Sequence, residues 1–327
     1  MKKHSNKTYL IGLTMAAAAM IGLSGPAAAA WPEKPVRLLV GFAPGGPTDN
    51  VARILSDEMS KELGQPVVVE NRAGAAGNIA AVALTQAPAD GYTLLYNTSS
   101  IIIAPWVYES VGFDPLKDFA PVGLTAAVPL VLVTNPAVAA DNPKALIDLV
   151  KAKPGELNYA SSGTGAIEHL TAAHILSLSS AEATHIPYKG TAPAQVDLIS
   201  GATQFTTTTL NTAIAPVEAG KLKALAITSR TRSPVMPDVP TIDESLIPGF
   251  ESLAWQGIVA PAGTPETVLE RLNAAVNAAL KSDSVQERLE KQGTLTLGGS
   301  VAEYRDYIAS EYDRWGGVVK EAGAAAK

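Results

Sequence analysis

The residue types with the clearest chemical potential lie in the segment NYASSGTGAIEHLTAAH, which covers residues 158–174. Its two histidines, His169 and His174, are five positions apart. At about 100° per residue they lie about 140° apart around a helix, so they cannot bind one metal ion from one face. Helices that bind zinc space their histidines by four positions. The spacing therefore argues against a metal site, and we expect none.

Two serines, Ser161 and Ser162, follow a short apolar strand, where many hydrolases place a nucleophile. The G-x-S-x-G pattern of that turn is absent. His185 could in principle approach a serine, but a catalytic triad depends on geometry that a sequence does not show. A serine hydrolase or esterase stays open as an alternative. The chain has no G-x-G-x-x-G after a strand and no P-loop, and we expect no cofactor.

Four loops are rich in small residues and hydroxyls, and each lies between a strand and a helix. Glycine lets backbone N–H groups come close to a ligand, and the first N–H groups of a helix lack acceptors. A helix N-terminus also carries roughly half a positive charge, so such loops can bind an anion without lysine or arginine. The alternative is that they are ordinary turns and helix caps. The loops are APGGPTD (43–49), NTSS (97–100), SSGTG (161–165) and KGTAPA (189–194).

The elements that carry these loops alternate between apolar strands and helices along most of the chain. Regular alternation predicts an α/β fold with mostly parallel sheets and helices on both faces. In such a sheet every loop from strand to helix lies at the carboxyl end of the strands, so the four loops share an edge. The pattern predicts, for example, a strand over 36–42, a helix over 48–63 and a strand over 129–134.

A proline-rich segment, SPVMPDVPTIDESLIPGF (233–250), interrupts the alternation. Proline is excluded from helix interiors and central strands, so this segment is expected to cross the surface. The simplest arrangement has one lobe from residues 31–131 and 255–327 and a second lobe from 132–254. The chain then crosses between lobes near Val131 and near Trp255. Two adjacent crossings form a hinge, and a hinge implies a cleft.

The first thirty residues have the features of a secretory signal peptide. Three lysines precede an apolar stretch, and Ala28-Ala29-Ala30 fits a cleavage site near Ala30. We expect an exported, periplasmic protein of 297 residues after cleavage. Its net charge would move from −6 to −9, because the leader contains three lysines and no acid. Nucleic acid is a poor partner for such a protein, since phosphate binding needs a basic surface.

Several segments together resemble the Bug family, the extracytoplasmic solute-binding proteins of tripartite tricarboxylate transporters. The resemblance covers essentially the whole mature chain in the expected order. It implies a two-lobe periplasmic-binding-protein fold of type II, a Venus flytrap that closes on a small carboxylate and delivers it to a membrane permease. The segments are GFAPGGPTDNVAR, VVVENRAGAAGN, DGYTLL, NYASSGTGAIEHL, IPYKGTAPA, AGKLKALAITSRTRSPVMPDVPT and WQGIVAPAGTP.

The resemblance also implies which loops meet the ligand. APGGPTD and NTSS would hold one carboxylate between them, partly through water, whereas SSGTG and KGTAPA would meet the distal end and set selectivity. The residues that we therefore predict to bind ligand are Phe42, Ala43, Gly45, Gly46, Thr48, Asp49, Thr98, Ser99, Ser161, Ser162, Gly163, Thr164, Gly190, Thr191, Ala192 and Thr209.

Two local features bear on the ligand class. Ala166-Ile167 follows SSGTG where a polar or small residue is common in the family, and the strand QFTTTTLNT (204–212) carries threonines where an acid or amide is expected. No acid is thus evident for a ligand ammonium, and an unpaired buried cation costs several kcal/mol. We expect a non-amino dicarboxylate. An aromatic acid such as a phthalate isomer is also open, if Ile167 with Phe42 or Trp255 flanks a ring.

The resemblance implies membrane permease subunits as partners, and we expect a monomer that is not an enzyme. Besides the esterase, a second alternative is a binding protein that presents its ligand to a signalling partner. The sequence contains no feature that separates a sensor from a transport receptor.

Overall fold

One continuous sheet of ten strands organises the chain. The computed structural model describes residues 31–325, and the expected signal peptide lies outside the described residues. From Lys34 onward the chain forms one compact unit. The long strand β4, Phe119–Thr134, runs through the middle of the sheet and divides it into two half-sheets.

The first half-sheet is built from both ends of this unit. Its outer strands β2, β1 and β3 are parallel, with Leu38 opposite Val69 on one side and Leu94 on the other. Strands β9 and β10 complete it, both antiparallel to β4. The strands are β1 Val36–Val40, β2 Val67–Asn71, β3 Thr93–Thr98, β9 Leu253–Pro261 and β10 Leu295–Thr296. The helices are α1 Pro47–Leu63, α2 Asn78–Thr85, α3 Ser100–Val107, α9 Glu266–Lys281, α10 Asp283–Glu290 and α11 Val301–Glu321.

The second half-sheet comes from the middle of the chain. Strands β6, β5 and β7 are parallel to one another, whereas β7 and β8 run antiparallel to the end of β4. The strands are β5 Asn158–Ser161, β6 Thr184–Pro187, β7 Phe205–Thr209 and β8 Lys223–Ile227. The helices are α4 Pro143–Ala152, α5 Ile167–Leu178, α6 Thr191–Ser200, α7 Leu210–Glu218 and α8 Ile242–Ser245.

The sheet is mixed, which differs from the mostly parallel sheets that we expected. Parallel pairing is confined to the outer strands of each half, because strand β4 and its neighbours run antiparallel. The strand-to-helix loops that follow β1, β3 and β5 nevertheless leave the carboxyl ends of parallel strands. The arrangement therefore still brings candidate loops to one edge within each half-sheet.

Strand β4 begins ten residues earlier than the predicted strand over 129–134. Pro121 and Gly123 are residue types typical of loops, so the sequence does not indicate a strand over its first ten residues. The pairing with β9 accommodates them by register shifts at Pro121/Gly123 and Leu124/Ala126. β4 pairs with β9 up to Pro129 and with β7 from Leu130 onward. One strand thus belongs to both half-sheets and changes partner between two adjacent residues.

Apolar side chains form separate cores on the two halves. The first half-sheet packs Trp255, Tyr304 and Trp315 into a core with helices α3 and α11. The second half-sheet has one cluster around Tyr159 and Phe205 and another on the opposite face. Within residues 31–325, no helix is long and apolar enough to cross a membrane.

Candidate functional site

A hollow of about 240 Å³, counting its part open to solvent, lies at the carboxyl ends of β1 and β3; we call it the first hollow. Its wall depends on a close backbone approach: a Cβ atom on Gly41 would lie 2.5 Å from the Cα of Gly77. Only glycine therefore fits at the end of β1. The lining residues are Gly41, Phe42, Gly77, Asn78, Ala81, Leu95, Tyr96, Asn97, Thr98, Ser100 and Ile101.

Asn97 supplies the first hollow with an unused hydrogen-bond donor. Its side chain is buried, and Oδ1 accepts a hydrogen bond of 3.1 Å from the Tyr304 hydroxyl. The amide Nδ2 is buried too, and it has no partner among the described residues. A buried polar atom without a partner is costly, and most such atoms bind water or a ligand. Nδ2 is therefore suited to donate to a carboxylate oxygen or to a water that bridges to one.

Hydroxyl groups beside Asn97 are already ordered. Thr98 Oγ1 and Ser100 Oγ lie 2.7 Å apart, and Ser100 Oγ donates to the Ala76 carbonyl at 2.8 Å. These contacts tie the end of β3 to the turn before α2. Ser99 differs from the prediction, because its side chain is buried and its N–H donates to the Trp255 carbonyl. It holds α3 against β9 and does not line the hollow.

The APGGPTD loop lies beside the first hollow and is organised by Asp49. The Asp49 carboxylate accepts from the Gly45 N–H at 2.9 Å, from Arg53 at 2.8 Å and from Asn71 at 2.7 Å. Burial alone would raise the pKa of Asp49, but these hydrogen bonds outweigh it and lower the pKa. Asp49 thus positions the loop with its oxygens turned inward, and its predicted contact with the ligand stays a prediction.

A second hollow, of about 310 Å³ counting its part open to solvent, lies at the carboxyl ends of β5 and β7. It combines hydroxyls, one amide and one carboxyl group with an apolar side. Neither hollow has a lysine or arginine among its lining residues. The residues lining the second hollow are Ser161, Ser162, Glu168, Thr191, Ala194, Gln195, Leu198, Thr206, Thr207, Thr208 and Leu222.

Strand β7 contributes three consecutive threonines to the second hollow, and they differ in hydrogen bonding. Thr206 Oγ1 donates to the Ala160 carbonyl and Thr207 Oγ1 to the Glu168 carbonyl, each at 2.6 Å. Thr208 Oγ1 is buried and has no partner in the described part of the chain. Each hollow therefore contains one buried polar atom that is left for something outside the protein to satisfy.

Glu168 is the acid in the second hollow, in the first turn of α5. Its side chain is buried, and Ser162 Oγ donates to Oε2 at 2.9 Å. Burial raises the pKa of Glu168, although its own backbone N–H and the Ser162 hydroxyl act in the opposite direction. No acid was evident for this part of the site in the sequence, whereas the structure places Glu168, on the helix after the loop, in the lining of the second hollow.

Two stacked imidazoles support the SSGTG loop from below. The rings of His169 and His185 lie 3.7 Å apart and nearly parallel, and Tyr159 stacks on both. The Gly165 N–H donates to His169 Nδ1 at 3.1 Å, while His185 Nε2 lies 2.7 Å from Ser161 Oγ. Burial lowers the pKa of each histidine to about 4, so both rings are neutral at pH 7.

The Ser161–His185 contact differs from the nucleophile and base of a serine hydrolase. Ser161 is 1% exposed, and its hydroxyl also bonds within the turn, to the carbonyl and the N–H of Gly163. Among residues 31–325, no carboxylate bonds to His185 to complete a triad. A histidine with a pKa near 4 is also a weak base at neutral pH. The pair shapes the loop.

Five of the predicted ligand-binding residues line a hollow: Phe42 and Thr98 the first, Ser161, Ser162 and Thr191 the second. The loop residues nearest to them are more exposed, and Thr209 Oγ1 bonds to Thr212 instead. The predicted residues outside both linings are Ala43, Gly45, Gly46, Thr48, Asp49, Ser99, Gly163, Thr164, Gly190, Ala192 and Thr209.

Trp255, one of the residues suggested to flank an aromatic ligand, does not line either hollow. Trp255 is fully buried, and its Nε1 donates to Glu311 Oε2 at 3.0 Å, so it belongs to the core. Ile167 is partly buried against the same core, beside the α3 helix. Phe42 is thus the one proposed ring neighbour that lines a hollow.

Sequence reasoning missed Asn97 and Glu168, the two residues with the most informative chemistry. Asn97 belongs to the NTSS segment, but its neighbours Thr98 and Ser99 were chosen because hydroxyls suggested binding. Glu168 looks like an ordinary acid in the first turn of a helix. Both lie within one turn of a loop that we had selected, and that proximity was the available signal.

Comparison with known proteins agrees with this fold. Residues 51–324 match the family described as the tripartite tricarboxylate transporter family receptor. BugT of Bordetella pertussis is 39% identical over 325 residues, which cover 98% of this chain and all of BugT.

Three solved structures are similar in sequence and in fold. Rpa4515 of R. palustris with adipate has a TM-score of 0.81 at 37% identity, covering 90% of this chain and 99% of its own. The periplasmic binding protein BugD has a TM-score of 0.78 at 35% identity, covering 91% and 100%. MatC of Rhodopseudomonas palustris with bound malate has a TM-score of 0.75 at 34% identity, covering 88% and 100%.

The fold is therefore that of a two-lobe periplasmic binding protein, and its candidate site is a pair of polar hollows. The chain belongs to the tripartite tricarboxylate transporter receptor family and, within it, to the Bug proteins. The family is described as a receptor family, and its member BugD is a periplasmic binding protein.

Proposed function

We propose that this protein is a periplasmic receptor that captures a small dicarboxylate between two lobes and delivers it to a membrane permease. The observation that carries the proposal is the pair of cation-free hollows, each with one unsatisfied buried polar atom, Asn97 Nδ2 and Thr208 Oγ1. One carboxylate would occupy the first hollow and the other the second. Main-chain N–H groups at the helix starts would complete the binding of each carboxylate.

The neighbours support a dicarboxylate. Rpa4515 carries adipate and MatC carries malate, each an aliphatic acid with two carboxylates. The buried position of Trp255 weakens the case for an aromatic acid, since one proposed wall is missing. Glu168 removes our original reason for excluding amino acids, so amino dicarboxylates belong in any ligand screen.

The lobes in this proposal are residues 31–131 with 255–327, and residues 132–254. The change of partner along β4 between Pro129 and Leu130 supports the first crossing, and the start of β9 at Leu253 supports the second. A hinge at these strands would let the two hollows approach each other around a ligand. The exposed APGGPTD loop would then lie at the rim of the closed site, where Gly45, Gly46 and Thr48 could contact the ligand.

Export and delivery belong to the same proposal. The N-terminal residues 1–30 have the composition of a signal peptide, and BugD is a periplasmic binding protein. The family is described by its transporter, so a permease is the expected recipient of the loaded protein.

A thermal-shift screen tests the proposal. Mature protein would be melted with C4 to C8 dicarboxylates, matched monocarboxylates, amino dicarboxylates, phthalate isomers and sugars. A ligand at 100 times its Kd stabilises the folded state by about 2.7 kcal/mol, which gives a clear rise in Tm. We expect a dicarboxylate to give the largest rise. Stabilisation by sugars and by no acid would overturn the proposal.

The same preparation tests the esterase alternative. Hydrolysis of short-chain esters would be measured for the wild type and for Ser162→Ala. A receptor shows no turnover in either case, and its variant loses only ligand affinity. Turnover that Ser162→Ala abolishes would support the enzyme instead.

A further inference from the structure

The second hollow contains a carboxyl group in an unusual setting. Glu168 is 9% exposed, and no lysine or arginine lies in ion-pair contact with it among the described residues. Its one hydrogen bond from another side chain is the Ser162 hydroxyl donating to Oε2. A buried charge without a cation is expensive, whereas the neutral acid keeps both a donor and an acceptor.

A ligand carboxylate in this hollow would further destabilise the ionised form of Glu168. Two carboxylates in contact repel each other, and such pairs normally share a proton. The hydroxyls of Thr206 and Thr207 are committed to backbone carbonyls, which leaves Thr208 Oγ1 as the unused polar atom of the strand. Glu168 can supply a second donor to the ligand in this hollow, and it does so only when it is protonated.

We propose that Glu168 binds as a neutral carboxylic acid and donates a hydrogen bond to the distal carboxylate of a dicarboxylate ligand. This inference rests on the proposed function. Ser162 donates to Oε2, so in this proposal Oε1 carries the proton and donates it to the ligand. The proton comes from the solvent and stays on Glu168 while the ligand is bound. No bond to carbon forms or breaks.

The neighbouring titratable groups are compatible with this state. Strand β7 contributes only threonine and phenylalanine, so none of its side chains is charged. Near the start of α5, His169 stacks on the neutral rings of Tyr159 and His185. Arg314 and Glu321 of α11 act on His174, which lies more than a turn further along α5. The titratable groups that face α5 from itself and its neighbours are Tyr159, His169, His174, His185, Arg314 and Glu321.

The proposal makes Glu168 a specificity-determining residue. It selects a ligand whose distal group accepts a hydrogen bond, as a carboxylate does. A ligand ammonium at this position has only donors to offer and would require the ionised form of Glu168. The hollow thus distinguishes an acid at the distal end from an amine by the protonation state of one side chain.

Isothermal titration calorimetry tests the proposal with adipate from pH 6 to 9, where adipate is a dianion. Titrations in phosphate and in Tris at each pH report the protons taken up. We expect the wild-type affinity to fall about tenfold per pH unit once the pH exceeds the pKa of Glu168 in the free protein, with uptake of close to one proton there. The amide of Glu168→Gln donates a hydrogen bond but does not titrate. At the low end of the pH range this variant should therefore bind adipate within a few-fold of the wild type, and its binding should show no proton uptake and no pH dependence.

Two controls make the result specific. Glu182→Gln makes the same change of charge at an exposed position of the same half-sheet, and it should retain the wild-type pH dependence. Hexanoate lacks the second carboxylate, so its binding should be weaker and independent of Glu168. Melting curves of both variants establish that they are folded.

The outcomes separate the inference from the proposed function. Failure of the wild type to bind any dicarboxylate overturns the proposed function. Binding of adipate that is independent of pH and free of proton uptake overturns only the role of Glu168. Loss of more than 30-fold in affinity for Glu168→Gln also overturns it, because an ionised carboxylate would then be needed.

Discussion

At the scale of single residues, Asn97 illustrates how a core side chain can prepare a binding atom. Tyr304 comes from the last helix and holds Oδ1, so the amide plane of Asn97 has a fixed orientation. Asn97 lines the first hollow, and its Nδ2 is buried with no partner in the described chain. Fixed donors cost little reorganisation when an anion binds, so the amide is expected to contribute to affinity.

Replacing Asn97 by alanine should therefore weaken binding of the dicarboxylate. A hydrogen bond to a charged group contributes about 1.5–3 kcal/mol, which corresponds to roughly 10- to 150-fold in Kd. Tyr304→Phe retains the donor but releases Oδ1, so it should cost only a few-fold. Calorimetry on both variants tests this expectation. Equal affinity of Asn97→Ala and wild type would place the carboxylate elsewhere.

The stacked pair of His169 and His185 should make the protein sensitive to acid. In the unfolded state the two histidines bind protons near pH 6.5, whereas in the folded state their pKa values are lowered to about 4 and they stay neutral above that pH. The contribution of the neutral histidine pair to the free energy of unfolding is thus complete above pH 6.5, and it is lost as the pH falls from 6.5 to 4. His185→Phe keeps a ring for stacking but cannot be protonated.

We expect the Tm of the wild type to fall across this interval and that of His185→Phe to fall less steeply. Thermal melts at half-unit steps of pH provide the measurement. Parallel slopes for the two proteins would show that the histidine pair is not responsible.

The sequence predicted the loops of the candidate site, but it did not predict the roles of the buried polar side chains around them. Glycines and hydroxyls after strands identified the loops, because turn chemistry is local and visible. The sequence could not show that Asp49 turns its oxygens inward to Arg53 and Asn71, because Asn71 is 22 positions away. Glu168 and Asn97 were missed for the same reason, since burial and partners decide their roles.

At the scale of elements, the start of helix α1 tests the role of the exposed loop. Gly46 caps this helix with φ −75°, and a Cβ atom there would meet only the Ala43 carbonyl, at 3.4 Å. A side chain at position 46 therefore fits the fold while covering the N–H groups of the first turn. The local backbone makes this position a clean probe of whether the helix start meets the ligand.

Gly46→Leu should leave the Tm nearly unchanged and lower the affinity for dicarboxylate more than Thr48→Ala does. Gly317→Leu is the matched control, because Gly317 is exposed on α11 with no neighbour within 4 Å. Calorimetry on the three variants compares them. Normal binding by Gly46→Leu would show that the ligand does not approach this helix.

Strand β9 and helix α11 are packed so closely that a methyl group cannot enter. A Cβ atom on Gly257 would overlap the Tyr304 hydroxyl, which is the group that positions Asn97. Gly257→Ala should therefore destabilise the fold by about 1–3 kcal/mol and weaken ligand binding as well. Gly317→Ala, on the exposed face of α11, should instead be neutral or stabilising by up to about 1 kcal/mol.

Chemical denaturation with urea measures both variants. Similar free energies of unfolding for Gly257→Ala and the wild type would mean that α11 moves away from β9 easily, contrary to the packing described here.

Elements with a regular apolar pattern were predicted from the sequence more accurately than elements interrupted by proline or glycine. Helix α1 agrees with the expected range of 48–63 within one residue at each end, because its apolar periodicity is regular. Strand β4 was found only over its last six residues, since Pro121 and Gly123 look like loop residues without the register shifts that accommodate them.

At the scale of the whole molecule, the central claim is that two hollows on two half-sheets hold the two ends of one ligand. The continuous strand β4 connects the hollows, and neither hollow has a cation in its lining. Two separated anion sites of this kind favour a ligand with an acid at each end. They also predict that binding depends on the distance between the acids.

The crystal structure of the mature protein with adipate tests this claim most directly. We predict one carboxylate within hydrogen-bond distance of Asn97 Nδ2, directly or through one water, and the other carboxylate in contact with Thr208 Oγ1 and Glu168. Adipate bound with both carboxylates in a single hollow, or away from both hollows, would contradict the account.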